Sequence, residues 1–251
     1  MNKKTLESIL NDLAISVGSY LNHIAIGGGY APLIYKNYLF EGKQAPDPAA
    51  TLDVDFLIPR KIVSSNDEGN LSQRLLSNGY EVFYKSTSNP PVISYLKNIA
   101  NLDIEVEFLT SDKARDKKSV VEVSGVNAQT LGFLEMSLEK IVAFKLLNGK
   151  KINVVRPEAW VFHKLITFPL RPKKSDKAYK DLYGSWYVAS ELSVVSQKCL
   201  KDLKLLMSQH ASWAKKAKKN IEEFLNKASP EDWAKLEAQD PNGRLTRIKF
   251  E

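Results

Sequence analysis

The chain has 251 residues, enough for one large domain or two smaller ones with a sizeable core. Its 43% hydrophobic and 26% charged residues are an ordinary globular composition, which excludes collagen-like, low-complexity and wholly disordered chains. The apolar runs fall far short of the roughly 20 residues of a membrane span, the single Cys199 excludes a disulfide framework or a cysteine-based zinc site, and the net charge of +7 suits polyanions such as nucleic acid or nucleotide phosphates as well as plain solubility.

Met1-Asn2-Lys3-Lys4 leads into an amphipathic pattern and not an apolar signal core, so the expected compartment is the cytoplasm, with no membrane partner. Leu6, Ile9, Leu10, Leu13, Val17 and Leu21 recur at helical spacing and predict a helix over 4–20. His23 to Ile26 reads as a short buried strand that runs into Gly27-Gly28-Gly29, after which Ala31 to Tyr35 read as a short helix. Residues 41–50 carry turn formers without periodicity and are expected to be an exposed loop. Leu52 to Ile58 reads as a strand stopped by Pro59, 71–78 as a helix ended by Asn78-Gly79, and Glu81 to Tyr84 as a strand.

Asn101 to Leu109 is the clearest alternation in the chain. Leu102, Ile104, Val106 and Phe108 take one face, and Asp103, Glu105 and Glu107 the other. Asn148-Gly149 between two apolar runs is a hairpin signal. From Arg156 the pattern turns helical: Pro157 suits a first helical position, and Ser229-Pro230-Glu231-Asp232 marks a later helix start. The last ten residues are polar and expected to be loose. The pattern therefore reads as α+β, with a mixed helix-and-strand domain over 1–155 followed by a mainly helical domain over 156–251. Basic residues gather at Arg171, Lys173, Lys174, Lys177 and Lys180, and again at Lys215, Lys216, Lys218 and Lys219.

The chemistry lies in a combination of strand, glycine turn, helix, loop, a strand with Asp-x-Asp and a strand with Glu-x-Glu. Residues i and i+2 of a strand share a face, so Asp53 and Asp55 project side by side and repel unless a cation lies between them. Magnesium, or manganese, is a hard ion that takes such oxygen ligands and shares them with substrate phosphates. Glu105 or Glu107 supplies a third carboxylate for a two-metal site. Gly28 and Gly29 let the backbone approach a triphosphate closely. The glycines are not the dinucleotide fingerprint, because no third glycine follows at the required spacing. Taken singly, the same residues read as a solvated strand face and an ordinary turn.

Gly28-Gly29-Tyr30-Ala31 followed by Thr51-Leu52-Asp53-Val54-Asp55-Phe56 resembles the signature of the DNA polymerase beta-type nucleotidyltransferase superfamily, most closely its stand-alone bacterial branch with the AbiEii-like toxins. Glu107-Phe108-Leu109-Thr110 resembles that branch's third-carboxylate strand, with Glu in place of Asp, and the loop at 41–50 looks like an insertion. Pro157 to Leu165, Arg171, and Lys177-Ala178-Tyr179-Lys180-Asp181-Leu182 are similar to the branch's downstream segments, so the resemblance covers about 22–190. It implies a nucleotidyltransferase-type mixed β-sheet flanked by helices, in which Asp53, Asp55 and Glu107 (or Glu105) bind the metal. It also implies that Lys164, with Arg171 and Lys177, neutralises phosphate, and that Asp181 orients Lys164 or assists the acceptor.

The implied reaction is magnesium-dependent transfer of a nucleoside monophosphate from an NTP to an acceptor hydroxyl. The acceptor is RNA such as a tRNA end, a protein or a small hydroxylated molecule, and an antitoxin is a further expected partner. The alternative is a catalytically inactive module of the same fold that binds RNA or a partner. An antibiotic-modifying enzyme ranks third.

Overall fold

The computed structural model describes residues 1–40, 45–62, 69–112, 118–172 and 175–250. Lys173, Lys174 and the first positions of the 41–50 loop lie outside the described residues. The chain packs as two compact units, Met1–Ala31 with Ala50–Val155, and Pro32–Ala49 with Arg156–Glu251. Residues 32–49, grouped by sequence order with the first domain, pack with the C-terminal helices instead.

In the first unit, α1 (Lys3–Val17) begins at Asn2, whose side chain accepts from the Thr5 N–H. Leu6, Ile9, Leu10, Leu13 and Val17 are fully buried on one stripe, each worth roughly 1.5–3 kcal/mol. A 3-10 turn over Gly18–Asn22 leads to β1 (Ala25–Ile26) and the glycine bend, and α2 (Tyr30–Ile34) begins in this unit at Tyr30 and Ala31 and ends in the second. Then come β2 (Asp53–Leu57), α3 (Leu71–Ser77), β3 (Glu81–Tyr84), β4 (Ile93–Ile99), β5 (Leu102–Ser111), β6 (Val120–Val123), β7 (Val126–Leu131), α4 (Leu134–Glu139), β8 (Ile141–Lys145) and β9 (Lys151–Val155).

Among the described residues these nine strands make one mixed sheet in the order β3-β4-β5-β2-β1-β9-β8, with β7 also on β5 and β6 on β7. β2 runs parallel to β5 and antiparallel to β1, which puts the Asp-x-Asp strand at the centre. Val54, Phe56, Ile104, Val106 and Phe108 are buried on one face of that centre, where Phe56 stacks on Phe108 with ring centroids 5.8 Å apart. The β8–β9 hairpin turns at Gly149, whose φ of 83° suits the glycine of the Asn148-Gly149 signal.

The second unit holds α5 (Pro157–Thr167), α6 (Lys177–Ser190), α7 (Val194–Gln209), α8 (Ala211–Lys227), α9 (Pro230–Glu237) and α10 (Arg247–Phe250). α5 packs against α6, α7 and α8. Two expectations are corrected here. The described part of the 41–50 loop is not simply exposed: Ala45 and Pro48 are buried, the Tyr187 hydroxyl donates to the Pro46 carbonyl at 2.8 Å, and the Asn242 amide donates to the Asp47 carbonyl at 2.7 Å. The C-terminal residues are not loose either. The buried Asp240 carboxylate accepts the N–H groups of Arg244 and Leu245, and Phe250 packs edge-on against Trp233 and Phe224. Polar composition concealed these local caps and the aromatic anchor.

Candidate active site

The parallel pairing of β2 and β5 sets Asp53 opposite Glu105 and Asp55 opposite Glu107. Registered residues of neighbouring strands share a face, and the strands lie roughly 4.8 Å apart. The four carboxylates therefore stand on one face, opposite the buried Val54, Phe56, Val106 and Phe108. Asp53 is exposed, whereas Asp55, Glu105 and Glu107 are half-buried.

The glycine bend lies beside this face. The Gly27 N–H donates to the Asp55 carbonyl at 2.8 Å, which ties the bend to the strand. Gly28 has a φ of 51°, and a Cβ there would sit 1.7 Å from the Asp55 Oδ2. Both the backbone conformation and the carboxylate thus require glycine. Gly28 is half-buried and Gly29 exposed, so the bend stays open. Beneath it the Tyr30 side chain is fully buried, and its hydroxyl has no hydrogen-bond partner among the described residues. Burial first, and then the Asp53 carboxylate, push this phenol well above the usual tyrosine range, so it remains protonated.

Lys85, directly after β3, occupies the face from the other side. It reaches past β4 to form ion pairs with Glu105, at 2.5 Å, and with Glu107. Partial burial opposes its charge, but the hydrogen bonds and negative charges of the two glutamates outweigh that and raise its pKa above the ordinary lysine value. The donor chemistry of the face, carboxylate oxygens alone, fits a hard divalent ion. Their placement around Glu105 and Glu107 serves an ammonium, and among the described residues no group of three or more His, Cys, Asp or Glu is arranged to hold a metal.

The second unit carries its own charged cluster. The Lys164 Nζ donates to Asp181 Oδ1 at 2.6 Å and the Arg171 Nε to Asp181 Oδ2 at 2.7 Å. Asp181 is buried in α6, while Lys164 also lies over the Trp160 ring, 5.4 Å from its centre. Burial would raise the Asp181 pKa, but Lys164 and Arg171 hold it below the usual carboxylate value. Lys177, in the first turn of α6, is exposed. An open pocket of about 400 Å³ in this unit is lined by Phe168, Arg171, Tyr179, Phe224 and Asp232 among others, and includes neither Lys164 nor Lys177.

A family model described as a nucleotidyltransferase matches residues 6–220, well over half of the chain. The chain belongs to that nucleotidyltransferase family. The matched span takes in the glycine bend, β2, β5, α5 and α6, and ends within α8. Among solved structures the chain is similar to an antigenic nucleotidyltransferase-like protein from Paracoccidioides brasiliensis, at 16% identity and a TM-score of 0.41, over 87% of this chain and 94% of that one. No curated protein matches it. No helix among the described residues is long and apolar enough to cross a membrane.

For this nucleotidyltransferase the sequence reading missed Lys85 and Tyr30. Neither carries a local signal. Lys85 follows a strand at the sheet edge, and only the β3-β4-β5 order brings it to Glu105 and Glu107. Tyr30 looks like an ordinary apolar position of the helix after the bend.

Proposed function

We propose that the chain is a metal-dependent nucleotidyltransferase that moves a nucleoside monophosphate from an NTP to an acceptor hydroxyl. The observation that carries this reading is the single face on which Asp53, Asp55, Glu105 and Glu107 stand in register beside the open Gly28-Gly29 bend. Asp53 and Asp55 would hold Mg²⁺ or Mn²⁺, with Glu107 or Glu105 as the third carboxylate. The ion when bound supplies charge neutralisation for a polyphosphate, the main demand of nucleotidyl transfer. The bend would give the phosphates close access to backbone, and Glu107 or Glu105 would accept the proton of the attacking hydroxyl. Lys164, with Arg171 and Lys177 as further cations, is assigned to phosphate by the family resemblance, and Asp181 to the orientation of Lys164.

RNA is the acceptor class we favour, because α8 presents Lys215, Lys218 and Lys219 exposed. The resemblance to AbiEii-like toxins extends the proposal to a toxin with an antitoxin partner, working in the cytoplasm. The test is incubation with labelled NTPs, Mg²⁺ and total RNA or lysate. Label is expected on an acceptor, and is expected to fall at least about a hundredfold with Asp53→Ala or Asp55→Ala. Unchanged labelling in both variants refutes the proposal.

A second reading, a catalytically inactive RNA- or partner-binding module, draws on the Lys85 clamp. Calorimetry separates the two. The enzyme binds NTP only with Mg²⁺, whereas the module binds RNA in a salt-sensitive way and no nucleotide.

A further inference from the structure

Two carboxylates held side by side need a cation, and for Glu105 and Glu107 the chain supplies its own. Lys85 touches both glutamates from an edge position, across an intervening strand whose residues include the small, fully buried Ser94. β4 pairs Leu96 with both Glu81 of β3 and Glu105 of β5, so one row of the sheet runs Glu81, Leu96, Glu105, Asp53. Lys85 stands four residues beyond Glu81, on the same side of its strand. Its backbone is fixed by donation from its N–H to the Val92 carbonyl at 2.8 Å. The ammonium is thus delivered by the β3–β4 hairpin.

An ammonium this close to both carboxylates and a divalent ion ligated by either of them exclude each other, by overlap and by like-charge repulsion. Resting on the metal-dependent reading of the same face, we propose that Lys85 is a built-in competitor of the metal: it caps Glu105 and Glu107 in the ion-free protein and leaves them when the ion enters. Lys85 therefore sets the ion concentration at which the face fills, and it prevents the two glutamates from repelling each other when it is empty. Binding and release are reciprocal, so an ion that displaces Lys85 also exposes its amine.

The test is Mn²⁺ calorimetry on the full chain at constant ionic strength, for wild type, Lys85→Met, Lys85→Arg and Asp53→Ala. Lys85→Met is expected to bind Mn²⁺ about tenfold more tightly, as removal of one adjacent charge implies, and Lys85→Arg to stay near wild type. In wild type, acetic anhydride labelling of Lys85 read by mass spectrometry is expected to rise several-fold on Mn²⁺ addition; this arm needs no variant to fold. Equal Mn²⁺ affinity in wild type and Lys85→Met, abolished by Asp53→Ala, overturns the Lys85 proposal and leaves the metal reading standing. Labelling of Lys85 that ignores bound Mn²⁺ overturns it as well. Absence of Mn²⁺ binding in both wild type and Lys85→Met overturns the two together.

Discussion

At the Gly28 position the chain meets two demands at once: a φ of 51°, and the Asp55 carboxylate where a Cβ would lie. Gly28→Ala is expected to cost more than about 1 kcal/mol and to displace Asp55, lowering both Tm and transfer activity. The clash is pairwise, so in a double-mutant cycle Asp55→Gly should recover part of the lost stability; strictly additive losses would show that Asp55 is not the obstacle. Asp181 makes a different demand. It is buried between Lys164 and Arg171, and Asp181→Asn leaves two cations without their counter-charge, a loss of about 3–5 kcal/mol for a broken buried pair. Because its folded pKa is lowered, its contribution is complete above the ordinary value of 3.8 and is lost as pH falls through the lower folded value. Wild-type Tm should therefore drop more steeply than that of Asp181→Asn below about pH 4, which a thermal melt series from pH 7 to 3 would reveal.

Single helices and strands add their own terms. α9 starts with a capping box in which the Ser229 hydroxyl accepts from the Asp232 N–H and Asp232 accepts from the Ser229 N–H at 2.8 Å. Asp232 also receives the Tyr179 hydroxyl at 2.5 Å, which links this cap to α6. Ser229→Ala is expected to cost about 1 kcal/mol, measured by denaturant unfolding with an unchanged m-value. Such a cap was legible in advance, since Ser-Pro-Glu-Asp names the cap, the first helical residue and the acceptor in order. The strand β5 was equally legible because its strict alternation matches one buried and one polar face. β4 was not. Its sequence Ile-Ser-Tyr-Leu-Lys-Asn-Ile buries three consecutive residues, Ile93, Ser94 and Tyr95, so both of its faces are covered there, and a run of that kind has no period to detect.

For the whole molecule, the charge of +7 says only that polyanions are favoured. The fold distributes that charge, and α8 puts Lys215, Lys218 and Lys219 on an exposed helix face. Exposed ion pairs such as Lys219–Glu223, at 3.8 Å, stabilise the helix little, so these lysines are available to a ligand. Replacing all three with Gln should keep the helix, and should lower the slope of log affinity for single-stranded RNA against log salt by roughly two, at about 0.7 per phosphate contact. An unchanged slope in fluorescence anisotropy would move the acceptor surface elsewhere.

The sequence by itself determined the strands that carry Asp53, Asp55, Glu105 and Glu107, the glycine bend and the caps, because each depends on a period of two, a period of 3.6 or the conformational freedom of one residue. Tertiary structure alone decided that β2 and β5 pair in parallel with Asp53 opposite Glu105, that residues 32–49 join the C-terminal helices, and that Lys85 sits on the two glutamates. Those outcomes follow from strand order, register and packing between segments up to 195 residues apart, and no local pattern encodes which distant backbone will supply the neighbouring hydrogen bonds.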